Sequence, residues 1–330
     1  MDRRTFCRSA VPMALASRLS LAAAEGAQSP GSVASKQAET PRSSFTEHST
    51  AEEVTAGLNL AGMTAVVTGC NSGLGLETMR VLALRGAHVI GTARTVEKGR
   101  EACASVKGKT TPVALELTDF DSVVACAAEI QKMNVAIDML ILNAGIVLRR
   151  LEQVNGLEKQ FVVNHLGHFI LTNRVLDRVR AARQGRVVVL GSGLHQRAPA
   201  GGIQFADLSG QGWVDTAYEH SKLANGLFSL ELSKRLRGTR ATSNCVNPGL
   251  VRTNLSRNVD DSKLPPDRKT VGEGAATTCY VATNPALANT TGEYFTNCNP
   301  SPQSAYQTDA AMAAKLWDVS SELTRKYLTA

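Results

Sequence analysis

From Gly57 onward the chain repeats one pattern of apolar and polar positions: a short β-branched run, a turn, then apolar residues at helical spacing. The segment "TAVVTG" (64–69) is a short apolar strand, and behind it Leu76, Met79 and Ala83 recur on one face of a helix. Further strands are predicted at "AHVIGTA" (87–93), "PVALEL" (112–117), "MLILNAG" (139–145), "RVVVLGS" (186–192) and "SNCVNPG" (243–249). A helix is predicted between the second and third strands. Others cover "DSVVACAAEIQKM", the long stretch "FVVNHLGHFILTNRVLDRVR", and Tyr218 to Arg237. Strands apolar on both faces and joined by helices imply a parallel sheet covered on both sides. Right-handed crossovers then make the expected fold α/β, a doubly wound parallel sheet (Rossmann fold) in a single domain.

The first fifty or so residues break this pattern. "MDRRTFCRSAVPMALASRLSLAAAEGAQSPGS" places Arg3 and Arg4 ahead of Phe6 and a modestly apolar stretch, followed by Ala22, Ala23 and Ala24. Basic, then apolar, then small is the layout of a secretory signal. The paired arginines resemble a bacterial twin-arginine signal, which a receptor reads. A disordered leader or an organellar transit peptide is the blander alternative. Arg18 interrupts the apolar run, so no integral membrane span is expected. Residues 25–50, rich in Ser, Thr, Ala, Pro and Glu, read as a flexible linker. The expected division is a signal peptide and linker over 1–50 and a dinucleotide-binding domain over 51–330. The expected location is periplasmic or secreted, with the cytoplasm as the alternative.

Composition changes little. The 330-residue chain is 43% apolar and 20% charged, which allows a large core without covalent staples. A formal charge of +7 raises the question of nucleic acid. The basic residues are scattered, often beside acids as in "ELSKRLRGTR", and aromatics at 5% leave little for bases to stack on. No nucleic acid is expected as a partner. The seven cysteines form no CxxC pair and several lie in apolar segments, as buried reduced thiols do; no metal site is expected.

Chemistry enters at "TGCNSGLG", where the first strand runs into Gly69, Gly73 and Gly75 before a helix. Glycines there let the backbone turn tightly against a pyrophosphate, whose charge meets free N–H groups at the helix start. At the end of the second strand an acid would favour NAD, whereas an arginine accommodates a 2′-phosphate. The chain has Thr92, Ala93 and Arg94, so NADP(H) is preferred over NAD(H). Later, "AYEHSK" sets Tyr218 and Lys222 four positions apart on a predicted helix, on one face. An ammonium beside a phenol favours the phenolate and suits it to acid–base work.

Together these motifs resemble the short-chain dehydrogenase/reductase family over about residues 55–330. The glycine motif is Gly69-Gly73-Gly75, the NAG motif Asn143-Ala144-Gly145, the helix asparagine Asn164, the serine Ser192, YxxSK Tyr218 to Lys222, and the PG motif "NPGLVRT". "NHLGHF", "YEHSKLANGLFSLELSKRL" and "GEYFTNC" look like its retinol dehydrogenase and WW-domain oxidoreductase branch. The resemblance implies that Tyr218 exchanges a proton with the substrate oxygen and Ser192 hydrogen-bonds that oxygen. It implies that Lys222 lowers the Tyr218 pKa and holds the nicotinamide ribose, and that Asn164 supports a water relay. It places the cofactor against Gly69, Asn71, Ser72, Gly73, Leu74, Gly75, Arg94, Glu116, Leu117, Asn143, Ala144, Gly145, Tyr218 and Lys222, with Pro248, Gly249, Val251 and Thr253 by the nicotinamide. The chain departs from the family pattern in Gly191-Ser192 for a double serine, in Glu116 for an aspartate, and in a longer insertion between Ser192 and Tyr218.

The implied activity is hydride transfer between nicotinamide and a small carbonyl/alcohol substrate of apolar character. A catalytically silent NADPH-binding sensor or scaffold is the alternative, and an intact Ser192, Tyr218, Lys222 and Asn164 set argues against it. In this family the helix carrying Tyr218 and Lys222 often lines a homodimer face. His165, His168 and His195 read as packing or hydrogen-bonding residues, Trp213 and Tyr280 as structural or pocket-lining, and "RNVDDSKLPPDRKT" (257–270) as a lid.

Overall fold

Alternation of side chains along each strand sets the layers. In the computed structural model, which describes residues 40–213, 216–253 and 265–328, the chain forms α1 (Ala51–Val54), β1 (Thr64–Val67), α2 (Gly73–Leu84), β2 (His88–Ala93), α3 (Val96–Ala104), β3 (Thr110–Ala114), α4 (Phe120–Lys132) and β4 (Met139–Leu142). A small hairpin follows, β5 (Gln153–Val154) with β6 (Leu157–Glu158), then α5 (Lys159–Phe161), α6 (Gly167–Arg180), β7 (Arg186–Leu190), α7 (Ala217–Arg235) and β8 (Thr242–Asn247). The last part holds α8 (Val271–Thr283), β9 (Tyr294–Thr296), β10 (Asn299–Pro300), α9 (Ala310–Leu323) and α10 (Arg325–Leu328). The main sheet runs β10-β9-β8-β7-β4-β1-β2-β3. Its pairings are parallel except the β9–β10 edge.

Val66, Leu140, Leu142, Val187 and Val189 face one core with residues of α4, α6, α7 and α9. Their neighbours Ala65, Val67, Met139, Ile141, Val188 and Leu190 face the other, with α1, α2 and α8. The central strands β1, β4 and β7 are therefore dominated by apolar residues on both faces, while buried β8 carries Thr242, Ser243 and Asn244. The strand order reverses between β1 and β4, and in sheets of this kind the crevice at such a reversal, beyond the carboxyl ends of the strands, is where ligands bind. The doubly wound sheet expected from the alternation is the one formed.

Three expectations change. The long helix over 161–180 is not continuous: a π turn at Val162–Leu166 separates α5 from α6, closed by the Gly167 N–H to the Val162 carbonyl. Gly167 lies against Leu117, and a Cβ on it would stand 2.7 Å from Leu117 Cδ2 and 3.0 Å from its carbonyl oxygen. Second, the packed body begins at Thr40, within the stretch read as linker. The Ser43 N–H donates to Asn299 Oδ1 at 2.9 Å and the Ser43 hydroxyl to the Cys298 carbonyl at 3.0 Å, while Phe45 meets Tyr280 edge-on at 5.7 Å. Third, strands end earlier than their apolar runs, because the residues after them turn into the site: β7 stops at Leu190 and β4 at Leu142.

The arginine-paired leader lies outside the described residues, as does the expected lid up to residue 264. The described end of that stretch pairs with the chain after β8: the Arg252 N–H donates to the Lys269 carbonyl and the Lys269 N–H to that of Leu250, each at 3.0 Å. No helix among the described residues is long and apolar enough to cross a membrane. Cys70, Cys103, Cys126, Cys245, Cys279 and Cys298 are buried free thiols.

Candidate active site

The loop after β1 owes its shape to its glycines. Gly69 and Gly73 have φ of 69° and 55°, the left-handed region that other residues avoid. Gly75 is excluded from bearing a side chain for a different reason: a Cβ there would overlap the Gly69 carbonyl oxygen and stand 2.5 Å from Asn143 Nδ2. The cradle thus needs bare backbone at the start of α2, the condition for an anion at a helix N-terminus. Asn71, Ser72 and Leu74 complete this turn, and Thr253 stands 3.5 Å from the position of a Cβ on Gly73. The Cys70 N–H bonds the Thr92 carbonyl at 2.8 Å, which sets the turn beside exposed Arg94 at the end of β2. Asn71 and Lys98 line one cleft of about 330 Å³ on this side.

Thr68, just ahead of the loop, joins it to the NAG segment. Its hydroxyl oxygen accepts from the Asn143 and Ala144 N–H groups, both at 2.9 Å, and lies 2.9 Å from His168 Nε2. Asn143 Nδ2 donates to the Thr68 carbonyl at 2.8 Å. With both oxygen lone pairs taken, the hydroxyl proton goes to His168 Nε2, and His168 Nδ1–H donates to the Asn164 carbonyl at 3.1 Å. Asn164 is fully buried in the π turn. Its Oδ1 accepts from the Ile146 N–H at 2.8 Å, and its Nδ2 donates to the Ile146 carbonyl at 3.1 Å and to Ser221 Oγ at 2.9 Å. Glu116 commits Oε1 to the Thr118 N–H and hydroxyl, at 2.9 and 2.7 Å, and Leu117 packs on Gly167.

Ser192, Tyr218, Lys222 and Asn164 come together at the end of β7. Lys222 Nζ donates to the Leu190 carbonyl at 2.9 Å, an acceptor shared with Asn225 Nδ2 at 2.9 Å, and lies 5.6 Å from the Tyr218 ring centre. A Cβ on Gly145 would lie 3.2 Å from Asn164 Oδ1 and 3.7 Å from Lys222 Nζ. Burial pushes the Tyr218 phenol up to about 12; a hydrogen bond with Ser192 pulls the other way, and the Glu219 charge adds to the rise. Burial pushes the Lys222 ammonium down to about 8. Both shifts favour the neutral form, as low-dielectric surroundings do.

Pro248, Gly249 and Val251 follow β8. Gly249 has φ of 81° and lies under the Lys269 side chain, while Val251 bridges to Lys269 and packs on Gly274 of α8. Gly191 is more than a missing serine, since a Cβ there would come 2.6 Å from Cys245 Sγ and 3.5 Å from the Tyr294 ring. Sequence reasoning missed Thr68, Asn225 and Ser221. The last of these was visible inside YxxSK, but its bond to Asn164 joins residues 57 positions apart. The unpromoted histidines are indeed hydrogen-bonding residues: His165 Nε2 is 2.8 Å from Ser320 Oγ, and His195 Nδ1 is 2.7 Å from the Ser192 carbonyl oxygen. Trp213 is buried against His220, ring centres 4.0 Å apart.

A family model described as short chain dehydrogenase matches residues 63–264. The chain is 37% identical over 303 residues to Short-chain dehydrogenase TIC 32 B, chloroplastic, of Brassica napus, covering 86% of this chain and 95% of that one. It is 38% identical over 279 residues to Retinol dehydrogenase 12 of Bos taurus, covering 81% and 87%. Among solved structures, an uncharacterised protein from Mycobacterium Paratuberculosis superposes with a TM-score of 0.68 at 33% identity, covering 82% of this chain and 97% of that one. A doubly wound sheet with a glycine cradle at its reversal and a tyrosine–lysine helix beside it defines a class of nicotinamide-dependent oxidoreductases. The chain belongs to the short-chain dehydrogenase/reductase family.

Proposed function

We propose that the chain is an NADP(H)-dependent oxidoreductase that moves hydride between nicotinamide and the carbonyl or alcohol carbon of a small apolar molecule, with Tyr218 exchanging the proton. The observation that carries the reading is the convergence of Ser192, Tyr218 and Lys222 beyond β7, with the Ser192 hydroxyl bonded to the phenol. Without cofactor the phenol is held protonated, the form that donates to a carbonyl oxygen under reduction. The bound cofactor supplies the hydride in that direction. In the reverse direction the Lys222 ammonium would draw the phenol toward phenolate. Ser192 orients the substrate oxygen, and Asn164 holds the path by which the proton is replenished.

The bare backbone at Gly69, Gly73 and Gly75 fits a pyrophosphate, and Arg94 with nearby Lys98 suits a 2′-phosphate better than a bare ribose. Asn71, Ser72 and Leu74 line the phosphate turn in this reading. Glu116 and Leu117 lie on the adenine side, Asn143, Ala144 and Gly145 under the riboses, and Pro248, Gly249, Val251 and Thr253 at the nicotinamide end. Leu194 and Leu250, 36% and 47% exposed, stand next to Ser192 and Gly249 and offer an apolar rim to the substrate. The leader's Arg3-Arg4 pair acts as an export address in this reading, and the catalytic domain is the remainder.

The test is turnover of NADPH and NADH by the purified full chain with a panel of aldehydes, ketones and quinones. NADPH is expected to be the better donor, and Tyr218→Phe to lose about 10²–10⁴-fold in kcat while binding NADPH normally. Undiminished turnover by that variant, or tight NADPH binding with no turnover of any carbonyl by the unmodified chain, refutes the reading.

A further inference from the structure

Where the Ser192 hydroxyl points depends on its backbone, and that backbone is held by a side chain outside the family motifs. Ser192 opens a 3₁₀ turn, Gly193–Arg197, and its Oγ accepts from the Leu194 N–H at 3.2 Å. Inside that turn His195 is 1% exposed. Its Nε2 lies 3.3 Å from the backbone nitrogen of Ser304, and its Nδ1 lies 2.7 Å from the Ser192 carbonyl oxygen. A backbone N–H can only donate and a carbonyl can only accept. The ring must therefore be neutral, with its proton on Nδ1. The ring also meets Tyr294 edge-on at 5.1 Å, and Tyr294 in turn lines the space beside Gly191.

Ser304 belongs to the segment after β10, which is anchored independently. The Tyr306 hydroxyl accepts from the Gly201 N–H at 2.8 Å. Gln307 is 1% exposed and lies so close to α7 that a Cβ on Gly226 would stand 2.5 Å from its Cδ. His195 is thus a strut between an anchored C-terminal segment and the residue immediately after Gly191.

We propose that His195 is a positioning residue: its Nδ1–H fixes the Ser192 backbone for reaction, and through the Ser304 N–H the segment after β10 fixes His195. This rests on the reading of Ser192 as the hydroxyl that orients the substrate oxygen. Plain packing of the ring against Tyr294 predicts different variants to be tolerated, so the two accounts separate. In His195→Phe the ring remains and both hydrogen bonds go. In His195→Asn the amide nitrogen can take the place of Nδ1 and donate to Ser192 while the ring is lost.

Two measurements on the full chain test it. The first is the ¹⁵N NMR signature of His195 in the chain without substrate, expected to be that of a neutral ring protonated on Nδ1. A proton on Nε2 overturns the proposal whatever the enzyme turns over. The second is steady-state reduction of 9,10-phenanthrenequinone with NADPH. His195→Phe is expected to lower kcat about 10²-fold, the scale of a small misplacement at a reacting centre, with KM for NADPH changed less than about twofold. His195→Asn is expected to recover most of that loss. Ser304→Pro, which deletes the N–H, is expected to lower kcat in the same sense even if the phenylalanine variant does not fold. His195→Phe added to Ser192→Ala is expected to cost nothing further, because residues acting through one group do not add. Phenylalanine as active as histidine, or asparagine no better than phenylalanine, overturns the proposal. Full activity in Ser192→Ala with loss in His195→Phe refutes the Ser192 reading and this proposal with it. Full activity in Tyr218→Phe beside an inactive Ser192→Ala refutes the function proposed above through its tyrosine, while the His195 proposal, which depends on Ser192, stands.

Discussion

At the scale of single residues, the site separates glycines that need their conformation from glycines that need their emptiness. Gly75 belongs to the second kind: the atoms a Cβ would meet are the Gly69 backbone and the Asn143 amide, neither the far end of a flexible chain. Gly75→Ala is expected to cost about 1–3 kcal/mol in stability by overpacking and to abolish tight NADPH binding, read by denaturant titration and cofactor fluorescence. Gly272 near the start of α8 is the control. A Cβ there meets nothing closer than 3.8 Å, so Gly272→Ala should be neutral or stabilising by roughly 0.5–1 kcal/mol through helix propensity. Equal loss in both variants would mean that the cradle is not specially tight.

At the scale of elements, the π turn, α6 and α7 bury three histidines away from the water that would solvate a charge. Burial holds His165 at about 3, His168 at about 4 and His220 at about 3, against an ordinary 6.5. Burial alone lowers His220, while positive neighbours add to burial for the other two: His165 feels His168 and His220, and His168 feels Lys222. Since the folded values lie below the unfolded one, the unfolded chain binds more protons below pH 6.5. The stability these groups contribute is whole above that pH and is lost as pH falls toward 4, by up to about 1.4 kcal/mol per pH unit per histidine. Glu158 and Asp138, raised by burial, act in the opposite sense but only near the carboxylate range. The urea midpoint should therefore drop steeply between pH 6.5 and 5, and His165→Gln should flatten the slope. A level profile over that window would show that water or a counter-charge reaches these rings.

At the scale of the whole molecule, α9 occupies ground on α6 and α7 that a partner subunit could otherwise claim. Trp317 is 8% exposed, meets Phe169 at 4.9 Å, stacks on Phe228 at 5.7 Å, and carries the Arg235 guanidinium 4.2 Å above its ring. Buried almost all round, α7 offers little outward face, which is what a helix in the middle of a core looks like. The expected species in sedimentation is a monomer. Trp317→Ala is expected to cost about 3–5 kcal/mol, and a small loss of stability accompanied by dimer formation would mean that α9 had only been standing in for a second copy.

The sheet, its main helices, the glycine turn and the tyrosine–lysine pair could be read from the chain alone, because those depend on short-range rules. Strand alternation, a glycine turn between a strand and a helix, and a phenol four positions from an ammonium all lie within one element or its boundary. Tertiary structure alone decided what holds those groups still. Thr68 reaches His168 across 100 positions and Ser304 reaches His195 across 109, and no local periodicity encodes either pairing. The need for glycine at 167, just after the π turn, has the same origin, since Leu117 presses on it from a different strand connection. A hydrogen bond between distant residues exists only once packing has removed the water that would otherwise satisfy both partners.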